Sequence, residues 1–194
     1  MRNGHLRPEM TRIRLSTSAA AVLSRRLGLR ITGGTSYQAY QLLNSADYKC
    51  LDADDAGTDP LAGQNGDKVQ LWNCRGTSAT NQMWIPISYD VNGSAWTALV
   101  NGMYQTECLN ANSNGGLHDG SLAQLYNCGV GGGNMIWDEG TVIQQYPSPD
   151  YLTVDESNAG GAFVLDANAS DISNDGDTVQ IWHPLGTSNQ WWWS

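Results

Sequence analysis

The chain has 194 residues, of which 15% are charged, and it contains 22 glycines, eight tryptophans and one phenylalanine. Low charge with abundant Gly, Asn, Ser and Trp is typical of short strands joined by turns, and not of helices, which favour Glu, Lys, Leu and Ala. The net charge of −9 combines seven arginines and one acid in residues 1–30 with eighteen acids and three basic residues in residues 31–194, and a body so acidic repels the phosphate backbone of nucleic acids.

Residues 1–33 differ in composition from the rest and are predicted to be a basic segment outside the folded domain. They are rich in Arg and Ser, and their only apolar core, residues 19–23, is shorter than a normal secretory h-region and is followed by Arg25-Arg26. An export signal, a disordered tail and a mitochondrial transit peptide are the three open interpretations. No apolar run in the chain approaches the roughly 18–20 residues that span a bilayer, which argues against membrane insertion.

From residue 34 onward one sequence pattern recurs three times. A Gly-Asp-x-Val-Gln-Leu/Ile-Trp run and a later Asn-Gln-x-Trp run occupy residues 66–72 with 81–84, and residues 176–182 with 189–192, while a degraded copy occupies 120–126 with 134–137. This periodicity predicts three structural repeats, at 34–88, 89–140 and 141–194. Short alternating runs within each repeat predict half-buried strands, and Asn/Asp/Gly clusters predict turns. Strands repeated in threes favour a closed all-β arrangement without exposed edges.

The four cysteines fall at equivalent places in the first two repeats. Cys50 and Cys108 open their repeats, and Cys74 and Cys128 follow the Gln-Leu-Trp/Tyr-Asn runs. Although four cysteines allow three connectivities, the matched positions favour Cys50–Cys74 and Cys108–Cys128. Such bridges indicate an oxidising compartment, predict a secreted protein and argue against a mitochondrial one. A zinc site is disfavoured because no Cys-x-x-Cys occurs.

Taken together, Cys50-Leu51-Asp52, the run from Val69 to Cys74 and Asn81-Gln82-Met83-Trp84 resemble the ricin B-type lectin domain. The resemblance covers about residues 36–194 and rests on three Gln-x-Trp-type signatures in register, of which the second carries Met135 in place of Gln. It implies a β-trefoil with pseudo-threefold symmetry, a shared apolar core and up to three shallow sugar sites. Members of this family usually bind galactose-type or xylan-type glycans.

The residue types of the repeats suit a sugar without reference to the family. Sugar hydroxyls need an acceptor such as an ionised carboxylate, together with amides that both donate and accept hydrogen bonds. The apolar face of a sugar ring needs an aromatic plane. Asp, Trp or Tyr, and Asn with Gln, repeated as one set, meet those needs.

The resemblance assigns these roles residue by residue. An Asp accepts from sugar hydroxyls, a Trp stacks on the ring, an Asn binds directly, and two Gln residues support the ligand or the Asp. Repeat 1 supplies Asp52, Trp72, Asn81, Gln70 and Gln82, and repeat 3 supplies Asp166, Trp182, Asn189, Gln180 and Gln190. The alternative is that the polar members are turn residues and that the Trp fills the barrel.

Repeat 2 departs from this pattern and is predicted to be a weak site or a structural unit. Asn110 replaces the carboxylate, which weakens charge-assisted hydrogen bonds by about 1–2 kcal/mol. The remaining members of the set are Gln124, Tyr126 and Asn134. The tryptophans that close the repeats, Trp84, Trp137 and Trp192, are predicted to lie in the core.

We therefore expect a secreted, non-catalytic lectin that binds glycans through repeats 1 and 3, without a cofactor or metal. No Ser/His/Asp or Cys/His set is visible, which disfavours an enzyme. Two other interpretations stay open: a carbohydrate-targeting module of a glycosidase whose catalytic part is absent from this chain, and a trefoil inhibitor that acts through protein contacts.

Overall fold

The computed structural model describes residues 8–55, 63–91, 94–129, 137, 163–170 and 172–194. Twelve β-strands and one α-helix run through these residues. Their bounds are β1 Met10–Arg14, α1 Thr17–Leu27, β2 Ser36–Tyr40, β3 Leu43–Asn44, β4 Cys50–Ala53, β5 Val69–Trp72, β6 Trp84–Val91, β7 Ser94–Asn101, β8 Glu107–Ala111, β9 Ser121–Asn127, β10 Val164–Ala167, β11 Asp177–Trp182 and β12 Trp192–Trp193. The predicted all-β class is confirmed, although α1 was not expected from the composition.

The strands form one curled sheet in which each repeat contributes the same hairpin. The order is β1-β2-β6-β7-β8-β9-β11-β5-β4-β3-β12, and β10 pairs with β11. In the hairpins β4–β5, β8–β9 and β10–β11, the predicted carboxylate position faces the Gln of the Gln-Leu/Ile-Trp/Tyr run: Asp52↔Gln70, Asn110↔Gln124 and Asp166↔Gln180. Each repeat therefore presents the same pair of positions at the same register.

One set of backbone hydrogen bonds joins the repeats in a cyclic order. The glycine that opens each recurring Gly-Asp or Gly-Ser run donates its N–H to a backbone carbonyl of another repeat. These bonds are Gly66 to Leu125, Gly120 to Ile181 and Gly176 to Leu71, at 2.8–2.9 Å. These glycines have φ values of 90°, 89° and 90°, a left-handed conformation that Gly adopts at least cost. This pseudo-threefold arrangement is the predicted β-trefoil.

The main hydrophobic core draws equivalent residues from all three repeats. The last tryptophan of each repeat is buried in it, as predicted, and its indole nitrogen donates to the carbonyl of the Leu that precedes the carboxylate position: Trp84 to Leu51, Trp137 to Leu109 and Trp192 to Leu165, at 3.0–3.2 Å. A buried indole N–H without a partner would be costly. These three bonds therefore fix the orientation of each tryptophan.

The N-terminal segment packs on the domain over residues 8–33, which were predicted from the sequence to lie outside it. β1 pairs along its whole length with β2, from Met10↔Tyr40 to Arg14↔Ser36. Ser16 caps α1 by accepting the Ala19 N–H at 3.1 Å, and Gly28 ends it at φ 69°. No helix among the described residues has the length and apolar character needed to cross a membrane. A targeting role for the segment stays a prediction.

Hydrophobic packing explains why this segment is ordered. Leu15 and Leu23 are fully buried in a second hydrophobic cluster together with Ile85, Val100 and Cys128. Side chains of β6, β7 and β8 form the other side of this cluster. The N-terminal segment therefore adds a layer to the outside of the barrel. Its arginines obscure this role in the sequence, because Arg12 and Arg14 alternate with the buried Ile13 and are exposed.

Both predicted disulfides are present, with Cα–Cα distances of 5.1 Å for Cys50–Cys74 and 5.0 Å for Cys108–Cys128. We expect replacement of Cys108 and Cys128 by alanine to lower the free energy of unfolding by about 3 kcal/mol through loop entropy. Because both sulfurs belong to the buried second cluster, lost packing adds to this. The same change at Cys50 and Cys74, where Cys74 is only half-buried, should cost less. Urea unfolding of both double variants measures the order, and the reverse order would contradict the packing argument.

Candidate functional site

Repeat 1 gathers its predicted polar side chains around the Asp52 carboxylate. Asp52 lies on β4 opposite Gln70 on β5, and Asn81 and Gln82 lie on a 3-10 turn, Thr80–Gln82. Gln70 Nε2 donates to Asp52 Oδ1 at 3.3 Å. Asn81 Nδ2 and Gln82 Nε2 both donate to Oδ2 at 2.9 Å. The structure therefore brings four of the five predicted residues of this repeat into one hydrogen-bonded group.

Arg75 is a further member of this group and is not among the predicted site residues. Its Nη2 donates to Asp52 Oδ2 at 3.1 Å and to Asn81 Oδ1 at 2.9 Å, and it also bonds both carboxylate oxygens of Asp55. The Arg75 side chain is 40% exposed, whereas that of Asp52 is 1% exposed. The guanidinium thus covers the carboxylate from the solvent side. It also borders an open depression of about 330 Å³, whose lining includes Asp55, Asn81 and Met103.

Trp72, the predicted stacking platform, ends β5 and is half-buried. Its Cζ3 atom lies 3.8 Å from the point that a Cβ on Gly176 would occupy. Trp182 ends β11 and stands in the same relation to Gly120, also at 3.8 Å. Each aromatic platform is therefore packed on a glycine turn of another repeat, and a side chain on that glycine would contact the ring.

Repeat 3 builds a similar group around Asp166, except that Gln190 Nε2 donates to the His183 carbonyl at 2.9 Å. Gln180 Nε2 donates to Oδ1 at 3.0 Å and Asn189 Nδ2 donates to Oδ2 at 2.8 Å. Asn189 Nδ2 also donates to the Ala167 carbonyl at 2.8 Å, as Asn81 does to Ala53 in repeat 1. The Asp166 side chain is buried, with 3% of its surface exposed.

The two sites differ at the position of Arg75. Gln82 Oε1 accepts the Arg75 N–H at 2.9 Å, and Gln190 Oε1 accepts the Leu185 N–H at 2.7 Å, so Leu185 is the structural equivalent of Arg75. Leu185 is 62% exposed. In the described part of the chain no donor is bonded to Asn189 Oδ1, whereas the equivalent oxygen of Asn81 accepts Arg75. As far as the described residues go, repeat 3 thus leaves an acceptor available that repeat 1 uses internally.

Repeat 2 pairs Gln124 with Asn110 among the described residues and is covered by the N-terminal segment. Gln124 Nε2 donates to Asn110 Oδ1 at 2.8 Å. Tyr126 packs against the second hydrophobic cluster. At the position equivalent to Arg75 and Leu185 stands Gly129, where a Cβ would come within 2.5 Å of the Arg26 carbonyl oxygen. The end of α1 therefore lies where the other repeats have an exposed side chain. Asn134, the remaining predicted member, lies outside the described residues.

Burial is the largest influence on both carboxylates. It raises the pKa of Asp52 above the ordinary range, against hydrogen bonds from Gln82 and Gln70 and the charge of Arg75. It likewise raises the pKa of Asp166, against hydrogen bonds from Gln180, Gln190 and Asn189. Among the described residues no group of three or more His, Cys, Asp or Glu side chains could hold a metal ion.

A raised carboxyl pKa has a defined effect on stability. Asp166 contributes stability that is complete below its unfolded pKa of about 3.9 and is lost as the pH rises through the higher folded pKa, because the folded state binds more protons in that window. We expect the free energy of unfolding of the parent, relative to Asp166→Asn, to fall across this window. Urea unfolding of both proteins at several pH values tests this expectation. A parent that gains stability relative to Asp166→Asn as the pH rises would contradict the raised pKa.

Comparison with known proteins agrees with this geometry. A family described as ricin-type beta-trefoil lectin domain-like matches residues 28–126, about half of the chain. No curated protein sequence matches the chain significantly. Among solved structures, the designed threefold-symmetric protein ThreeFoil is similar with a TM-score of 0.57 and 24% identity, over 80% of this chain and 96% of that protein.

Two natural proteins are also similar in structure. The ricin B-like lectin of Macrolepiota procera, solved in complex with lactose, has a TM-score of 0.54 and 17% identity over 84% of this chain and 97% of its own. An exo-β-1,3-galactanase from Clostridium thermocellum has a TM-score of 0.53 and 20% identity over 84% of this chain and 33% of its own. These likenesses show the shared fold. With its repeats, its β-trefoil and the match to half of its length, the chain belongs to the ricin-type β-trefoil lectin domain-like family.

Proposed function

We propose that the chain is a secreted, non-catalytic lectin that binds galactose-type or xylan-type glycans through repeats 1 and 3. One observation carries this proposal: in both repeats a buried carboxylate holds Asn and Gln amides beside a half-buried tryptophan. Amides and a carboxylate fixed in this way suit a row of sugar hydroxyls, and the indole suits the apolar face of the ring. The family to which the chain belongs is generally non-catalytic.

The two sites are proposed to differ in the hydrogen-bond acceptors that they offer to a sugar. In repeat 3, Asn189 Oδ1 and the Asp166 carboxylate offer acceptors beside Trp182, with the exposed Leu185 at the edge. In repeat 1, Arg75 already donates to Asp52 and Asn81, so a sugar hydroxyl has to share or displace that guanidinium. Since displacing a charge-assisted hydrogen bond costs free energy, we expect repeat 3 to bind more tightly.

A targeting module of a larger glycan-degrading enzyme is the second candidate. The similarity to the galactanase favours it, because this chain corresponds to only 33% of that enzyme's length. The glycan sites would be the same in both cases. Only the covalent connection to a catalytic domain would differ.

Calorimetric titration with lactose, other galactosides and xylo-oligosaccharides tests the proposal. We expect weak binding to monovalent sugars and tighter binding to repeated or branched glycans, because two linked sites raise the effective concentration. Circular dichroism and oxidised cysteines establish that the titrated protein is folded. A folded protein that binds no neutral glycan, monovalent or multivalent, would exclude the lectin function.

A further inference from the structure

A pocket of about 200 Å³ is lined by residues of all three repeats, including Gln124 of the repeat 2 polar group but neither Asp52 nor Asp166. The strands β5, β9 and β11 meet there, since β11 pairs with both other strands and Lys68 forms a bridge to Gln124 of β9. Two equivalent positions of each repeat line the pocket. They are Val69, Ala123 and Val179, preceded in sequence by Lys68, Leu122 and Thr178.

The inner part of this pocket is apolar. Val69, Ala123 and Val179 are buried members of the main hydrophobic core. Leu122 extends the apolar surface outward and is 51% exposed. Exposed apolar surface that borders a cavity is typical of a ligand site. The volume is below the roughly 300–1,000 Å³ of sites for drug-sized ligands, so the pocket suits a small molecule.

The rim of the pocket carries a positive charge and hydrogen-bond donors. Lys68 Nζ donates to the Gly176 carbonyl at 2.6 Å, which leaves two of the three ammonium N–H groups for another acceptor. Asn112 also lines the pocket, and its Oδ1 accepts the Asn114 N–H. Within the described chain the amide nitrogen of Asn112 donates to no other residue.

No acidic residue is among those that line the pocket. The carboxylates next in sequence, Asp67 and Asp177, are buried and accept backbone N–H groups of their own turns, from Gly63 and Asn174. A lysine at the mouth of an apolar pocket is therefore unusual in a body with eighteen acids and three basic residues.

We propose that this pocket binds a small organic acid whose apolar body enters the pocket and whose carboxylate pairs with Lys68. The apolar part is buried against the three equivalent core positions, and the charge stays at the rim where the ammonium and amide donors lie. The binding mode is non-covalent. This proposal does not rest on the glycan assignments, so either proposal can fail without the other.

A titration with matched six-carbon probes tests this site. Hexanoate, hexanol and hexylammonium have the same apolar body and differ in charge, and amide chemical-shift changes at residues 69, 123 and 179 report binding in the pocket. We expect hexanoate to bind about tenfold more tightly than hexylammonium, since only the carboxylate accepts a charge-assisted hydrogen bond from Lys68, and tenfold corresponds to about 1.4 kcal/mol. Lys68→Met should weaken hexanoate binding about tenfold for the same reason.

Variants of the exposed Leu122 separate charge from folding. Leu122→Lys should tighten hexanoate binding and Leu122→Asp should weaken it, while both proteins unfold like the parent because the side chain is largely in solvent. Thr178→Lys, placed in Lys68→Met, should restore binding from the third wall of the pocket. Lactose titrations of the Leu122 variants should match the parent, whereas Lys68 bonds the Gly176 turn on which Trp72 packs and is not used for this control. The proposal is overturned if hexanoate does not bind, if the amine binds as well as the acid, or if Lys68→Met binds hexanoate as the parent does.

Discussion

Replacing both Asp52 and Asp166 with asparagine should remove measurable glycan binding, and each single replacement should weaken it about tenfold. The loss corresponds to about 1–2 kcal/mol, the difference between charge-assisted and neutral hydrogen bonds. Asparagine is the appropriate substitute because Asn110 already occupies this position in repeat 2 and accepts a hydrogen bond from Gln124. Calorimetric titration with a galactoside and a xylo-oligosaccharide measures the effect.

Two comparisons sharpen this experiment. Asp52→Asn should destabilise the protein more than Asp166→Asn, because Oδ2 of Asp52 accepts from Asn81, Gln82 and Arg75. Asn110→Asp serves as the matched control: it adds the carboxylate to repeat 2, but we expect no gain in binding because the end of α1 covers that repeat at Gly129. A double variant that is folded and binds glycans like the parent would show that the sites are elsewhere.

Leu23→Ala should lower the free energy of unfolding by about 2–5 kcal/mol, the range for a buried leucine truncated in a packed core. Leu15→Ala should have a similar effect, since both side chains are fully buried between the N-terminal segment and the barrel. Ser16→Ala should cost about 1 kcal/mol through loss of the helix cap. Urea unfolding of the full chain measures all three.

Arg25→Ala is the control on the same helix. Arg25 is exposed, so its loss should change the free energy of unfolding by no more than about 0.5 kcal/mol. If Leu23→Ala is as stable as the parent, the N-terminal segment contributes no packing energy and the second hydrophobic cluster does not form in solution. An equal loss in Arg25→Ala would point to the interaction of the basic last turn with the helix dipole instead of packing, because alanine has the highest helix propensity.

The trefoil could be predicted because its determinants repeat. Trp84 and Trp192 occupy the same place in two intact copies, and the structure buries both with the same indole hydrogen bond. Asp52 and Gln70, two members of the predicted polar set, face each other in the structure, as Asp166 and Gln180 do in repeat 3. The sequence also favoured both disulfides for this reason. Three copies of one pattern thus indicate which strands are equivalent in the fold, which the pattern of a single strand cannot do.

Features without a repeated pattern could not be predicted in this way. Arg75, Gly129 and Leu185 share one structural position, and three unlike residues at equivalent positions give no common signal. The N-terminal helix occurs once and resembles a short export signal. A capping Ser16 and a Gly28 terminator were nevertheless visible in the sequence, with Ala19, Ala20 and Leu23 at helical spacing between them.

The cyclic order of the glycine turns has a consequence for how this molecule can evolve. Gly120 belongs to repeat 2, yet it packs against Trp182 of repeat 3 and donates its N–H to Ile181. A substitution at Gly120 would therefore act on repeat 3, because a φ of 89° disfavours residues with a Cβ and the added atom would contact the Trp182 ring. The turn of repeat 2 is thus constrained by repeat 3 whatever residue occupies position 110. The polar set of a repeat and its structural turn can change independently.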